Sequence, residues 1–341
     1  MHEARFLFLS QEDVIAAGGL DMRATVAAVE EALRLHARGE AILPAKVSIN
    51  WGTELDTDER VGRIMAMPAY VGGDVDVAGV KWIPSVPDNP QRGLPRGIGL
   101  IVLTDRTTGL PLAVLDGTVV SAMRTGAVTG VAIRALANPD AKLATLLGAG
   151  VQARTQLMAL DEVLDLREVR VWDIDRDRAR AFCEREANGR FTLAPVDEPA
   201  DACRDVPVIV AATMAPEPYI PPSWIADGAV FVSISSLDPT VELLLAADVL
   251  VCDSWEHETR HHSRPFARAL EQGVVSRERV AQLGDILVGA AAGRTDRGQR
   301  VFVSPVGLGI EDVAAAARVY RHAAEMGIGT ALELWREPVW T

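Results

Sequence analysis

Residues 142–175, KLATLLGAGVQARTQLMALDEVLDLREVRVWDID, constrain the fold of this chain more than any other stretch. They read as an apolar strand, a glycine turn, a helix, a second apolar strand and an acidic tip. Gly148 permits the tight turn, Gly150 lets the main chain approach a pyrophosphate, and Ala153 keeps the helix close to its strand. Ala149 completes the turn, and the N–H groups of Val151 and Gln152 point where the helix dipole favours negative charge. Asp173 closes the second strand about 25 residues after the first glycine, near the usual spacing of about 20. An acid there accepts hydrogen bonds from both adenosine ribose hydroxyls and repels a 2′-phosphate. The pattern therefore points to NAD, with NADP disfavoured. A strand-to-helix turn without a ligand is the competing reading.

Bulk properties narrow the class of partner. A chain of 341 residues is long enough for two domains with separate cores. Its net charge of −13 argues against nucleic acid or an anionic membrane, since both reward clustered Lys and Arg. No run of about 18 apolar residues suggests a membrane span, and MHEARFLFLS lacks the pattern of a signal peptide. Cys183, Cys203 and Cys252 are odd in number and widely spaced, which suggests reduced thiols buried as small apolar residues and a cytoplasmic location.

The texture changes along the chain. Residues 22–37, MRATVAAVEEALRLHA, have helical periodicity. The runs KVSIN, GRIMAMPAYV, VAGVKWIPSV, IGLIVLTD and PLAVLDGTVV follow, separated by Gly, Pro, Asn and Asp, as antiparallel strands are. From Met123 onward strands and helices alternate: ATLLGAG, VRVWDID, PVIVAAT, AVFVSIS and DVLVCD lie at regular spacing, which predicts a doubly wound parallel sheet. The tail, GLGIEDVAAAARVYRHAAEMGIG, reads as one amphipathic helix returning to the first domain. The expected fold class is α/β, with a Rossmann-type doubly wound NAD-binding domain over 123–311. A discontinuous α+β domain would comprise 1–122 and 312–341.

Six segments in order over about 250 residues, RIMAMPAY, GVKWIPSVPDNP, RTGAV, GAGVQA, a TM-x-x-EPY segment and GIEDVA, make the chain similar to the ornithine cyclodeaminase/mu-crystallin family. The resemblance implies an NAD(P)-dependent enzyme whose mixed-sheet domain holds an amino-acid-type substrate and forms a homodimer. Within the family, PDNP, SISSLDPTVEL and GIGTALEL most resemble the subgroup that oxidises an N-(amino-carboxyethyl)-glutamate in diaminopropionate biosynthesis. Two carboxylates of the cyclodeaminase pattern are missing: Leu237 stands at one position, with Asp238 beside it, and Met65 stands near the other. Without that proton relay, ring closure with loss of ammonia is disfavoured.

The resemblance also assigns roles to individual residues. Arg124 in RTGAV matches the arginine that binds the substrate carboxylate, a task suited to a planar bidentate fork. Lys81 matches an active-site lysine, and its place inside the apolar run VAGVKWI is costly for an unpaired ammonium. Lys46 would be a second carboxylate contact, and Arg96 a further cation suiting a substrate with more than one carboxylate. Asp238 would orient the amine or a water; its alternative role is to cap the turn before Pro239. Thr125, Thr213, Met214, Ser233 and Ile234 would line the nucleotide, the last four at strand carboxyl ends.

His257-Glu258-Thr259-Arg260-His261 spells H-E-x-x-H, a zinc-peptidase signature. It follows a strand of the nucleotide domain, has charged neighbours and lacks a third ligand, so it is read as a decoy and no metal is expected. The sequence thus predicts an NAD-dependent oxidoreductase acting on the C–N bond of an amino acid or N-substituted amino acid, with diaminopropionate and 2-oxoglutarate as one product pair. Its rivals are an ornithine cyclodeaminase, an alanine dehydrogenase-like enzyme, and a mu-crystallin-like nucleotide-binding or amine-oxidase accessory subunit.

Overall fold

The computed structural model describes residues 3–51 and 62–340. The chain divides into two compact units, Met1–Arg124 with Leu308–Thr341, and Thr125–Gly307.

The first unit is built on one sheet. Its strands are β1 (Ala4–Leu9), β2 (Ala41–Ile42), β3 (Val47–Trp51), β4 (Gly62–Val71), β5 (Val77–Ser85), β6 (Leu100–Thr104), β7 (Pro111–Asp116) and β16 (Thr330–Trp335). They run in the order β16-β1-β7-β6-β5-β4-β2, with β3 also paired to β4. Only the β1–β7 pair is parallel among these. The antiparallel meander from β3 to β7 follows the short apolar runs of the sequence. The Met22–Ala37 helix starts on Asp21, whose carboxylate accepts the N–H of Ala24 at 3.0 Å.

The Gly309–Met326 helix lies against β4, β5 and β6 and buries an alanine-rich face. Two glycines let it approach. A Cβ on Gly79 would fall 3.2 Å from Val313, and one on Gly309 would fall 3.1 Å from the carbonyl oxygens of Met67 and Pro68. The helix stops at Gly327, whose φ of +69° suits a left-handed cap. The sequence reading ended there, whereas the chain continues into β16, an edge strand on β1. Its alternation, TALELW, is short and mostly exposed, so periodicity alone gave it little weight. The opposite face of the sheet carries exposed apolar side chains: Phe8, Val47, Ile49, Trp82, Leu100 and Leu332.

The second unit contains β8 (Leu143–Leu147), β9 (Glu168–Trp172), β10 (Thr192–Pro195), β11 (Val208–Ala211), β12 (Val230–Ser233), β13 (Val249–Cys252), β14 (Val280–Gln282) and β15 (Val301–Ser304). All pairs are parallel, in the order β10-β9-β8-β11-β12-β15-β13-β14. The order reverses between β8 and β11, the switch point outside which such sheets bind ligands. β15 enters between β12 and β13, so the regular spacing of the sequence motifs does not translate into neighbouring strands. Phe231 stacks on Phe302, which Phe266 meets edge-on, at the core of this unit.

The Gly117–Leu136 helix is long and apolar enough to cross a membrane by length and composition, yet 67% of its apolar window is buried within the protein. It reads as a core helix.

Candidate functional site

In the second unit, β8 delivers the glycine turn. Gly148 has φ +100°, and a Cβ there would sit 2.7 Å from the carbonyl oxygen of Ala212, so both backbone angle and space require glycine. Gly150 differs. It caps the Val151–Val163 helix in an extended conformation, and a Cβ there would meet nothing within 4 Å. The open side of Gly150 lies beside the first-turn N–H groups of Val151 and Gln152, where a phosphate can be cradled. Ala153 is buried, as close helix–strand packing needs.

Asp173, just past β9, is buried and binds the turn itself: Oδ2 accepts the N–H of Ala149 at 2.8 Å and Oδ1 that of Asp175 at 3.0 Å. Arg178 approaches it at 3.7 Å. The acid thus ties the strand tip to the glycine turn as well as standing where a ribose hydroxyl would be met. Thr125 is drawn to the same helix, since its carbonyl accepts from Gln156 Nε2 at 3.2 Å. Val151, Met214 and Ile174 are apolar yet 78%, 77% and 88% exposed at the carboxyl ends of β8, β11 and β9. Apolar surface left open at a switch point suits the flat faces of a nucleotide. Ile174 escaped the sequence reading, although its setting between two aspartates was a signal.

Asp238 joins two loops of the second unit. It is fully buried, and its carboxylate accepts from the hydroxyls of Thr213 and Ser235. Burial raises its pKa, against the pull of those donors. Through these bonds it braces the loops after β11 and β12. Ser233 is buried and donates to the Ser235 carbonyl, while the Ile234 N–H donates to Ala211, so both shape the β12 loop.

The H-E-x-x-H segment has a structural use. The helix Trp255–Thr259 ends before His261, and Glu258 is fully buried. Arg264 Nε donates to Glu258 at 2.8 Å and its Nη2 to Ser304 Oγ and the Pro305 carbonyl, while Nη1 reaches the Ile234 carbonyl. This network locks the β12 and β15 loops together. The three cysteines are buried, and burial pushes the Cys183 and Cys203 thiols up to about 11 and about 12, unsuited to nucleophilic work.

In the first unit, Lys81 and Arg124 come together. Lys81 Nζ lies 2.6 Å from Asp312 Oδ2 and donates to Ser121 Oγ at 3.1 Å. Arg124 donates through Nε to Asp312 Oδ1 at 2.9 Å and through Nη1 to Glu311 Oε2 at 3.2 Å. All five side chains are buried. Arg124 sits inside the Gly117–Leu136 helix and not at its start, as the sequence had suggested. Glu311 and Asp312 occupy the first turn of the Gly309–Met326 helix, where the dipole favours acids. They went unassigned in the sequence, although two adjacent carboxylates opening an apolar helix were visible in GIEDVA.

Burial, with Arg124 close by, lowers the Lys81 pKa to about 7, even though Asp312 pulls it back upward. Burial would also lower that of Arg124, but Asp312 and Glu311 more than reverse it. Lys46 precedes β3 and is close enough to depress Lys81 further. Arg96 lies outside this buried cluster, exposed, with Nε donating to Ser85 Oγ at 3.4 Å.

The family model described as ornithine cyclodeaminase/mu-crystallin family matches residues 7–327. N-((2S)-2-amino-2-carboxyethyl)-L-glutamate dehydrogenase of Staphylococcus aureus (strain NCTC 8325 / PS 47) is 32% identical, over 96% of this chain and 98% of that protein. Delta(1)-pyrroline-2-carboxylate reductase of Thermococcus litoralis, solved with NADH and L-proline, superimposes with a TM-score of 0.87 at 31% identity, covering 95% of this chain and 99% of that one. An archaeal alanine dehydrogenase dimer with bound NAD gives 0.86 at 31%, covering 97% and 100%. With the nucleotide-type turn, the buried Lys81–Arg124 cluster and a match along nearly its whole length, the chain belongs to the ornithine cyclodeaminase/mu-crystallin family.

Proposed function

We propose that this protein is an NAD-dependent oxidoreductase acting at the C–N bond of an amino acid or N-substituted amino acid. The observation that carries the reading is the convergence of Lys81 and Arg124 on one carboxylate, Asp312. A pair of cations already arranged around a carboxyl group is arranged for a second one, and such charge-assisted bonds contribute about 1.5–3 kcal/mol each. The relatives' names share one chemistry, hydride exchange at a carbon bearing both nitrogen and a carboxylate. In oxidation, that carbon gives hydride to NAD and the nitrogen loses a proton, leaving an imine, NADH and a proton. Water then adds to the imine, and the C–N bond breaks to give an oxo acid and an amine. Reduction retraces these steps.

NAD fits the second unit: Gly148 and Gly150 shape the turn, Val151 and Gln152 present N–H groups, and Asp173 disfavours a 2′-phosphate. When bound, the nicotinamide supplies the hydride acceptor. The chain's own contribution is the carboxylate clamp, with Lys81, Arg124 and Lys46 holding the substrate. The first unit thereby serves as the substrate domain and, through the apolar face of its sheet, as the surface of a homodimer. Reduced, buried cysteines accord with a cytoplasmic setting.

The test is steady-state turnover of amino acids and N-substituted amino acids beside NADH titration. Lys81→Ala and Arg124→Ala are expected to lower kcat/KM at least 100-fold, with NADH affinity within about threefold of the parent. Turnover surviving in both variants refutes the clamp. Tight NADH binding with no turnover of any amine or oxo acid by the parent would favour a nucleotide-binding protein instead.

A further inference from the structure

The buried ion pair of Glu258 and Arg264 stands where two neighbouring strands stop pairing. The ladder between β12 and β15 runs Val230↔Val301, Phe231↔Phe302 and Val232↔Val303, and ends there. Carried on in the same register, Ile234 would face Pro305, which has no N–H to donate. Arg264 takes over at that level: Nη1 donates to the Ile234 carbonyl at 3.2 Å and Nη2 to the Pro305 carbonyl at 2.9 Å. Its Nε donates to Glu258 Oε2 at 2.8 Å and Nη2 also to Ser304 Oγ at 2.8 Å, a hydroxyl that in turn donates to Glu258 Oε1 at 2.7 Å. Glu258 and Ser304 are fully buried, and Arg264 nearly so. Arg268, one helical turn on, donates to the Pro239 carbonyl at 2.8 Å and holds the far end of the β12 loop. Past these anchors, residues 234–237 and Val306 keep part of their surface open.

Stability alone does not call for such a pair, since two well-packed apolar side chains serve a buried position about as well. What the pair supplies is fixed atom positions, and here it fixes two loops at the carboxyl ends of β12 and β15. The strand order β10-β9-β8-β11-β12-β15 is that of two mononucleotide-binding halves side by side. Asp173, just past β9, belongs to the adenosine half, which leaves the ends of β11, β12 and β15 to the nicotinamide half. We propose that Glu258 and Arg264 are positioning residues for the nicotinamide, setting the spacing of the β12 and β15 loops that receive the ring. They act through the Ile234 and Pro305 carbonyls and not by contact with the cofactor. This rests on the placement of NAD in the second unit.

The experiment is calorimetric titration of the full chain with NADH and with ADP-ribose, which keeps the adenosine and pyrophosphate but lacks the nicotinamide. It compares the parent with Arg264→Lys, Ser304→Ala and the double variant Glu258→Leu/Arg264→Leu. The double variant leaves no buried charge unpaired, so it is expected to melt near the parent. Arg264→Lys keeps the charge but loses the fork that spans both carbonyls, and with Ser304→Ala it keeps the test decisive if the double variant does not fold. The parent is expected to bind NADH about tenfold or more tighter than ADP-ribose. In the double variant and Arg264→Lys that ratio should fall about tenfold, and in Ser304→Ala about threefold, with ADP-ribose affinity moving less than about twofold. A ratio unchanged in the variants, parallel loss of both ligands, or a parent that binds the two alike overturns the positioning role. A parent that binds neither ligand defeats the placement of NAD itself, a failure distinct from that of the ion pair.

Discussion

Lys81 is held between opposing influences. Burial and the Arg124 guanidinium drive its proton off, Asp312 holds it on, and the balance falls at about 7. Below that pH the ammonium is present and can grip a carboxylate; above it the grip weakens. Binding of a 2-oxo acid to the NADH complex should therefore weaken as pH rises through about 7. Asp312→Asn removes the group that raises the pKa, so the inflexion should move to lower pH. Lys81→Arg, which stays charged, should abolish it. Titrations from pH 5.5 to 9 decide this, and an Asp312→Asn profile identical to the parent's would show that the pair does not set the proton. Only half of this arrangement was readable in advance: a lysine inside VAGVKWI demands a partner, but the partner lies 231 residues away and becomes visible only once the chain has folded.

At the scale of elements, Gly148 and Gly150 look equivalent in the sequence and are not. Gly148→Ala meets both a positive φ and the Ala212 carbonyl. Such strain costs about 1–3 kcal/mol, or a Tm lower by roughly 2–12 °C for a unit of this size. Gly150→Ala should leave Tm within about 1 °C and weaken NADH at least tenfold, because the added methyl projects into the space a phosphate would fill. Differential scanning fluorimetry and NADH titration on the two variants separate fold from ligand. If Gly150→Ala binds NADH normally, the cradle lies elsewhere. The glycine turn, its helix and the acidic tip were legible because each is local and obeys a fixed period. β15 and β16 were not, since one joins the sheet out of sequence order and the other is a short exposed edge. Asp238 shows a related limit: a sequence shows a carboxylate but not the Thr213 and Ser235 hydroxyls that donate to it.

For the molecule as a whole, the exposed apolar face of the first sheet calls for a covering, and a second copy is the occupant proposed above. Phe8→Glu with Leu100→Glu should convert a dimer into a 36.6 kDa species in sedimentation equilibrium; a parent that already sediments at that mass refutes the dimer. The net charge has a different bearing. A protein of net charge −13 repels carboxylates and dinucleotides alike at long range, but salt confines that field to about 8 Å under physiological conditions. Capture is then a short-range affair: an anion drifts unguided until it is within about that distance of the groups that bind it.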